Sequence, residues 1–66
     1  MEEYIELNTF LKLNRLAPTG GQAKIIIRSG AVKVNGAIEL RNKKKLRDKD
    51  TVEYQEKKYA VNLADY

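Results

Sequence analysis

The first regular hydrophobic pattern in this 66-residue chain has the spacing of a helix. Leu7, Phe10 and Leu11 recur at positions i, i+3 and i+4, which places their side chains on one helix face. Ahead of this helix, residues 2–5 are predicted to form a short edge strand or an irregular arm. Pro18 ends the helix, because the residue before a proline disfavours the α conformation.

A second helix is predicted to follow Pro18. Thr19 is a good N-cap, and Gln22 three residues later completes a capping-box pattern. Ser29-Gly30 ends the helix, since glycine readily adopts the left-handed conformation in which many helices terminate. The positions of this helix that we expect to be buried are Ala23, Ile26 and Ile27.

The rest of the chain alternates hydrophobic and polar residues with the period of β-strands. Val32–Leu40 is predicted to be a hairpin, because Asn35-Gly36 supplies the two positive-φ residues of a type I′ turn. A basic loop over residues 41–45 follows, and Leu46 is expected to be its buried anchor. Two further strands are predicted, Thr51–Tyr54 and Lys58–Leu63. The fold class is therefore α+β, with two helices followed by a small, mainly antiparallel sheet.

Basic residues are concentrated in the middle of the chain. The sequence has 13 Lys and Arg against 9 Asp and Glu, a net charge of +4. Residues 7–49 hold eleven of the basic residues but only two acidic ones, Glu39 and Asp48. Such a field attracts polyanions. The alternative is a solvated loop whose lysines only keep the protein soluble.

The composition offers little for catalysis. The chain has no Cys and no His, and its one Ser is Ser29, beside the glycine that ends the second helix. We therefore expect a non-enzymatic protein without metal or cofactor. No hydrophobic run approaches the roughly 20 residues of a membrane span, and no signal-peptide pattern opens the chain. The expectation is a monomeric cytoplasmic protein with a single domain over residues 1–66.

Two segments resemble the signature of a known family. Thr19–Lys24 and Ile26–Gly36 resemble the S-four RNA-binding domain, whose pattern is a capped helix followed by Gly-x-Val-x-Val-Asn-Gly. Gly20-Gly21 and residues 39–46 are similar to its stand-alone YaaA/YbcJ-like group. The resemblance covers about residues 5–54. It implies an αL-type RNA-binding fold and binding of structured RNA, ribosomal RNA among the candidates. The chain departs from the family pattern at Lys49, which replaces the usual turn glycine.

The candidate RNA-binding residues lie on the second helix, the hairpin and the basic loop. The N-terminus of a helix binds anions through its backbone N–H groups, and two glycines there leave room for a phosphate or simply allow a tight turn. Arginines are the better candidates for selectivity, because their planar guanidinium binds bidentately and stacks. Asn35 is expected mainly to make the turn. The complete set is Gly20, Gly21, Gln22, Lys24, Arg28, Lys33, Asn35, Arg41, Lys43, Lys44, Lys45 and Arg47.

The nature of the partner is argued from the aromatic residues. Phe10, Tyr54 and Tyr59 are expected to pack inside the domain, and Tyr4 and Tyr66 lie near the ends of the chain. Without a spare aromatic platform, folded RNA is favoured over single strands. An adaptor that docks its basic face or an edge strand on an acidic protein is the alternative. Double-stranded DNA is a weaker candidate.

Overall fold

A computed structural model describes residues 3–66 and has the predicted α+β architecture. No helix in that range has both the length and the hydrophobicity needed to span a membrane. The chain forms, in order, β1 (Ile5–Glu6), α1 (Leu7–Leu13), α2 (Gly20–Arg28), β2 (Val32–Val34), β3 (Ala37–Ile38), β4 (Lys45–Leu46), β5 (Thr51–Tyr54), β6 (Lys57–Ala60) and a short 3₁₀ turn (Leu63–Asp65).

Four of the strands form one antiparallel sheet in the order β3-β2-β5-β6. In its register Val34 lies opposite Val52 and Lys33 lies opposite Glu53, so hydrophobic and charged residues occupy opposite faces. β1 and β4 form a separate antiparallel pair, in which Ile5 lies opposite Leu46. The sequence placed Lys45 in a loop, and this was wrong. A two-residue strand is too short to show the alternation by which strands are recognised.

The hydrophobic core is shared by the two helices and both sheets. As predicted, Leu46 is buried. Ile26 is only partly buried and packs against the edge of the core, so its predicted burial was wrong in degree. The predicted strand at residues 2–5 begins later, at Ile5, and Glu2 lies outside the described residues. The buried residues are Ile5, Leu7, Phe10, Leu11, Ala17, Ala23, Ile27, Val32, Val34, Leu46, Val52 and Val61.

The last strand ends earlier than the sequence predicted. β6 stops at Ala60, although Val61 still bonds through its N–H to the Asp50 carbonyl (2.8 Å). Asp48 then accepts a hydrogen bond from the Leu63 N–H at Oδ1 (3.0 Å). This bond draws the chain into the 3₁₀ turn, which explains why the predicted strand Lys58–Leu63 is cut short.

The hairpins β2–β3 and β5–β6 both have two-residue turns with a left-handed backbone, but the turn residues differ. Asn35 (φ 51°) and Gly36 (φ 85°) confirm the predicted type I′ turn. Gln55 (φ 53°) and Glu56 (φ 65°) are also both left-handed in the second hairpin, where no glycine is present. A side chain raises the energy of this conformation by about 1–2 kcal/mol per residue. The second turn is therefore strained.

We expect the double substitution Gln55→Asn/Glu56→Gly to stabilise the protein by about 1–2 kcal/mol, because it installs the preferred type I′ residues. The measurement is urea denaturation, in which a higher midpoint with an unchanged m-value shows a gain in the free energy of unfolding. Gly36→Ala is the matched control. Its β-carbon would have no neighbour within 4 Å, so its expected loss of stability comes from the backbone alone. An unchanged midpoint in the double variant would show that the second turn carries no strain.

Candidate nucleic-acid interface

Basic side chains converge on an open groove between the β2–β3 turn and the segment that contains β4. The groove has a volume of about 560 Å³, and among residues 3–66 it is lined by five cationic side chains and one carboxylate, that of Asp50. It therefore carries a clear excess of positive charge. The predicted binding residues that line it are Asn35, Arg41, Lys43, Lys44, Lys45 and Arg47.

The segment over residues 41–47, here called the basic segment, is fixed against the start of α1. Glu6 provides no side-chain cap for this helix. Instead, the Leu7 N–H donates to the Lys44 carbonyl and the Asn8 N–H donates to the Asn42 carbonyl, both at 2.9 Å. These bonds satisfy two of the backbone donors that every helix N-terminus leaves unpaired. The basic segment is thus part of the fold rather than a free loop.

The hairpin turn is joined to the other side of the groove through Asn35. Its Oδ1 accepts from the Thr51 N–H (2.9 Å), and its Nδ2 donates to Asp50 Oδ1 (3.1 Å). Asp50 Oδ2 in turn accepts from the Arg47 N–H (2.8 Å). The principal role of Asn35 in the structure is therefore to hold the turn and the basic segment together.

Tyr4 lies beneath two of the groove cations. Lys45 Nζ is 4.9 Å from the centre of the Tyr4 ring, and the Arg47 guanidinium carbon is 5.7 Å from it. Both distances are within the range of cation–π attraction. Arg47 also donates from Nη1 to the Glu3 carbonyl (3.2 Å). Sequence reasoning missed Tyr4, because only the pairing of β1 with β4 brings it to the basic segment.

Arg41 forms an ion pair with Glu39, which lies two residues earlier in the segment that connects β3 to β4. Glu39 accepts from Arg41 Nε (2.9 Å) and Nη2 (3.2 Å), and from the Arg41 backbone N–H (3.1 Å). The side-chain hydrogen bond from Arg41 lowers the pKa of Glu39, and the same bond raises the pKa of Arg41. Arg41 therefore reaches the groove with part of its charge already balanced.

The predicted residues on α2 do not line the groove. Lys24 and Arg28 are exposed on the outer face of the helix. The Gln22 N–H, which the sequence left available for an anion, donates to Thr19 Oγ1 (3.1 Å) and is not available. Gln22 can contact a ligand only through its side chain. Lys33, also outside the groove, is exposed on β2.

The glycine pair of α2 has no packing role. A β-carbon at Gly20 would meet no atom within 4 Å, and one at Gly21 would meet only Thr19 Oγ1, at 3.9 Å. Both residues are helical rather than left-handed, so a tight turn does not require glycine at either position. The helix therefore carries two residues of low helix propensity that the fold itself does not need.

The ion pair of Glu39 and Arg41 predicts a pH dependence. Because the folded-state pKa of Glu39 is below its unfolded value, the pair stabilises the fold above the ordinary glutamate pKa. This contribution is lost as the pH falls through the folded-state pKa. In a ¹³C NMR titration we expect the Glu39 carboxyl to titrate below the usual glutamate range. Arg41→Gln should return it towards that range, and identical titrations in the two proteins would contradict the assignment.

Comparisons with known proteins agree with this structure. The chain is 43% identical over 51 residues to "Putative RNA-binding protein YbcJ" of Escherichia coli (strain K12), an alignment that covers 77% of this chain and 73% of that protein. "Uncharacterized protein YbcJ" of Shigella flexneri matches with the same identity and coverage. The family model of the S4 domain matches residues 1–62. Nearly the whole chain fits this model, and the protein belongs to the S4 domain family.

Proposed function

We propose that this protein binds structured RNA without catalysis, and that the basic groove is the principal contact. The observation that carries the proposal is the convergence of five cations on one groove whose backbone is held by hydrogen bonds. The family and the name of the Escherichia coli relative support RNA as the polyanion. Ribosomal RNA is a candidate target, and a single-domain, monomeric, cytoplasmic protein fits this role.

The groove suits phosphate positioning rather than base reading. Lysines act as point charges, and each phosphate that they neutralise releases counterions, which makes binding steeply dependent on salt. A fixed backbone places these charges at set distances from one another, so the groove can favour a particular path of the phosphates. Selection by shape is the usual way in which proteins recognise folded RNA.

The outer face of α2 is proposed as a second contact. Lys24 and Arg28 are four residues apart and exposed, and like charges at this spacing slightly destabilise a helix. Gly20 and Gly21 leave the helix N-terminus open to a phosphate. Lys33 would add a contact from the exposed face of β2. An RNA that reached both the groove and α2 would contact two separate parts of the fold.

The groove is tested by removing two of its charges. Lys43→Gln/Lys44→Gln should weaken binding to a structured RNA about 10- to 30-fold at physiological salt and lower the salt slope by about 1.5, since two phosphate contacts are lost. Lys57→Gln/Lys58→Gln is the matched control, because it removes equal charge from β6, outside the groove. Fluorescence anisotropy with a labelled RNA hairpin measures both quantities.

Equal losses in the two double variants would show that binding follows net charge and not the groove. Lys24→Gln/Arg28→Gln measured in the same assay reports on α2 separately. A DNA duplex of equal length, used as competitor, distinguishes RNA from general duplex binding. A shallow salt slope with every nucleic acid would overturn the proposal and favour an acidic protein partner.

The glycine pair gives an independent test of the α2 contact. We expect Gly20→Ala/Gly21→Ala to raise stability by about 1 kcal/mol, because alanine favours the helix and the space is open. The same variant should bind RNA several-fold more weakly, since its methyl groups hinder approach to the backbone N–H groups. Greater stability with unchanged RNA affinity would exclude a phosphate contact at this helix N-terminus.

A further inference from the structure

A second cleft lies beside the basic groove, between the segment preceding β1, helix α1 and the 3₁₀ turn. It has a volume of about 640 Å³. Two tyrosine side chains line it, Tyr4 and Tyr66, which are 44% and 51% exposed, so the sequence-based interpretation that the chain has no spare aromatic platform does not hold. Leu13 and Leu63 also line it, and Leu13 is half exposed. A cleft lined by two exposed aromatic rings and two aliphatic side chains is suited to a flat, uncharged group.

Both rings make contacts that hold them in place. The Tyr66 ring packs edge-on against buried Phe10, with the ring centres 6.2 Å apart and the planes at 66°. Its hydroxyl oxygen accepts a hydrogen bond from Asn14 Nδ2 (2.8 Å). Tyr4 directly precedes β1 and contacts Lys45 and Arg47. An incoming group would thus meet ordered aromatic surfaces, which lowers the entropic cost of binding.

Tyr4 connects this cleft with the basic groove. Its ring contacts Lys45 and Arg47, and both of these cations also line the groove. A ligand that filled the cleft would therefore have a strong positive field directly beside it. Among the residues that the structure describes, the acidic side chain on the cleft wall is that of Glu3, whose carbonyl accepts a hydrogen bond from Arg47. The arrangement pairs an aromatic cleft for an uncharged group with a cationic groove for an anionic one.

We propose that this cleft binds one unpaired base of the RNA whose phosphates occupy the groove. A nucleotide has the required two parts, because its base is flat and uncharged and its phosphate is anionic. Lys45 and Arg47 would hold the phosphate while Tyr4 or Tyr66 stacks on the base. The inference rests on the proposed function. A base bound in the cleft would give the protein a preference for RNA helices that contain an unpaired nucleotide, and phosphate contacts alone do not supply this preference.

The test compares two RNA hairpins that differ by a single bulged nucleotide. Anisotropy should show the wild-type protein binding the bulged hairpin about 5- to 150-fold more tightly than the fully paired one, the range that corresponds to stacking one base on an aromatic side chain. In the double variant Tyr4→Leu/Tyr66→Leu, which removes both rings, this ratio should fall towards one. Tyr4→Phe and Tyr66→Phe keep the rings and should retain most of it.

The two hairpins separate this inference from the proposed function. Wild-type protein that binds both with equal affinity overturns the base site and leaves RNA binding intact, whereas wild-type protein that binds neither overturns the proposed function. Because this comparison of the two hairpins uses only wild-type protein, its result does not depend on whether the variants fold. NMR should show shifts of the Tyr4 and Tyr66 ring protons with the bulged hairpin and much smaller ones with the paired hairpin. Rings that respond equally to both would contradict the proposal.

Discussion

The attachment of the basic segment to the start of α1 is the constraint on which the rest of the interface depends. The helix lacks a side-chain cap, so the carbonyl groups of Asn42 and Lys44 take that place. Leu46, fully buried, fixes the same segment from the core side. Five neighbouring cations repel one another, and a flexible loop would spread them apart. Here the backbone bonds and the buried leucine keep them around one groove, so the energy that opposes their repulsion comes from the fold itself.

The main role of the acidic residues in and near the basic segment is to accept hydrogen bonds from the backbone, and neutralising the cations is secondary. Asp50 accepts from the Arg47 N–H and fixes a turn at the groove, whereas Asp48 accepts from the Leu63 N–H and fixes the 3₁₀ turn at the cleft. Glu39 does the same for Arg41 and also engages its guanidinium. Hydrogen bonds to ionised acceptors are stronger than neutral ones. The carboxylates therefore stabilise the loop geometry, while the groove keeps its excess of positive charge.

Local patterns predicted most of the fold, and contacts distant in sequence account for much of what they missed. The end of α1 is a local miss, because the helix stops at Leu13 and Arg15 is left-handed (φ 61°), ahead of the predicted end at Pro18. The cap at Thr19 and the turn at Asn35-Gly36 each depend on residues a few positions apart, and both were predicted. The pairing of β1 with β4 joins residues about forty positions apart through two-residue strands, which carry no periodic signal. Tyr4 was missed for that reason. Lys49 was identified as replacing a glycine, and its φ of 73° shows that the lysine adopts the left-handed conformation itself.

Stability and recognition are largely carried by different residues in this small domain. In the part of the chain that the structure describes, the buried residues are all hydrophobic, so the core contains no polar group that could also bind a ligand. The groove cations are at the surface, where their substitution removes charge without opening a cavity.

Asn35 and Tyr4 are exceptions, because the first ties the turn to the basic segment and the second joins the groove to the cleft. Changes in these two residues would alter the shape of the surface as well as its chemistry. The geometry of recognition therefore depends on a few residues that link elements, and its strength depends on the cations that those elements display.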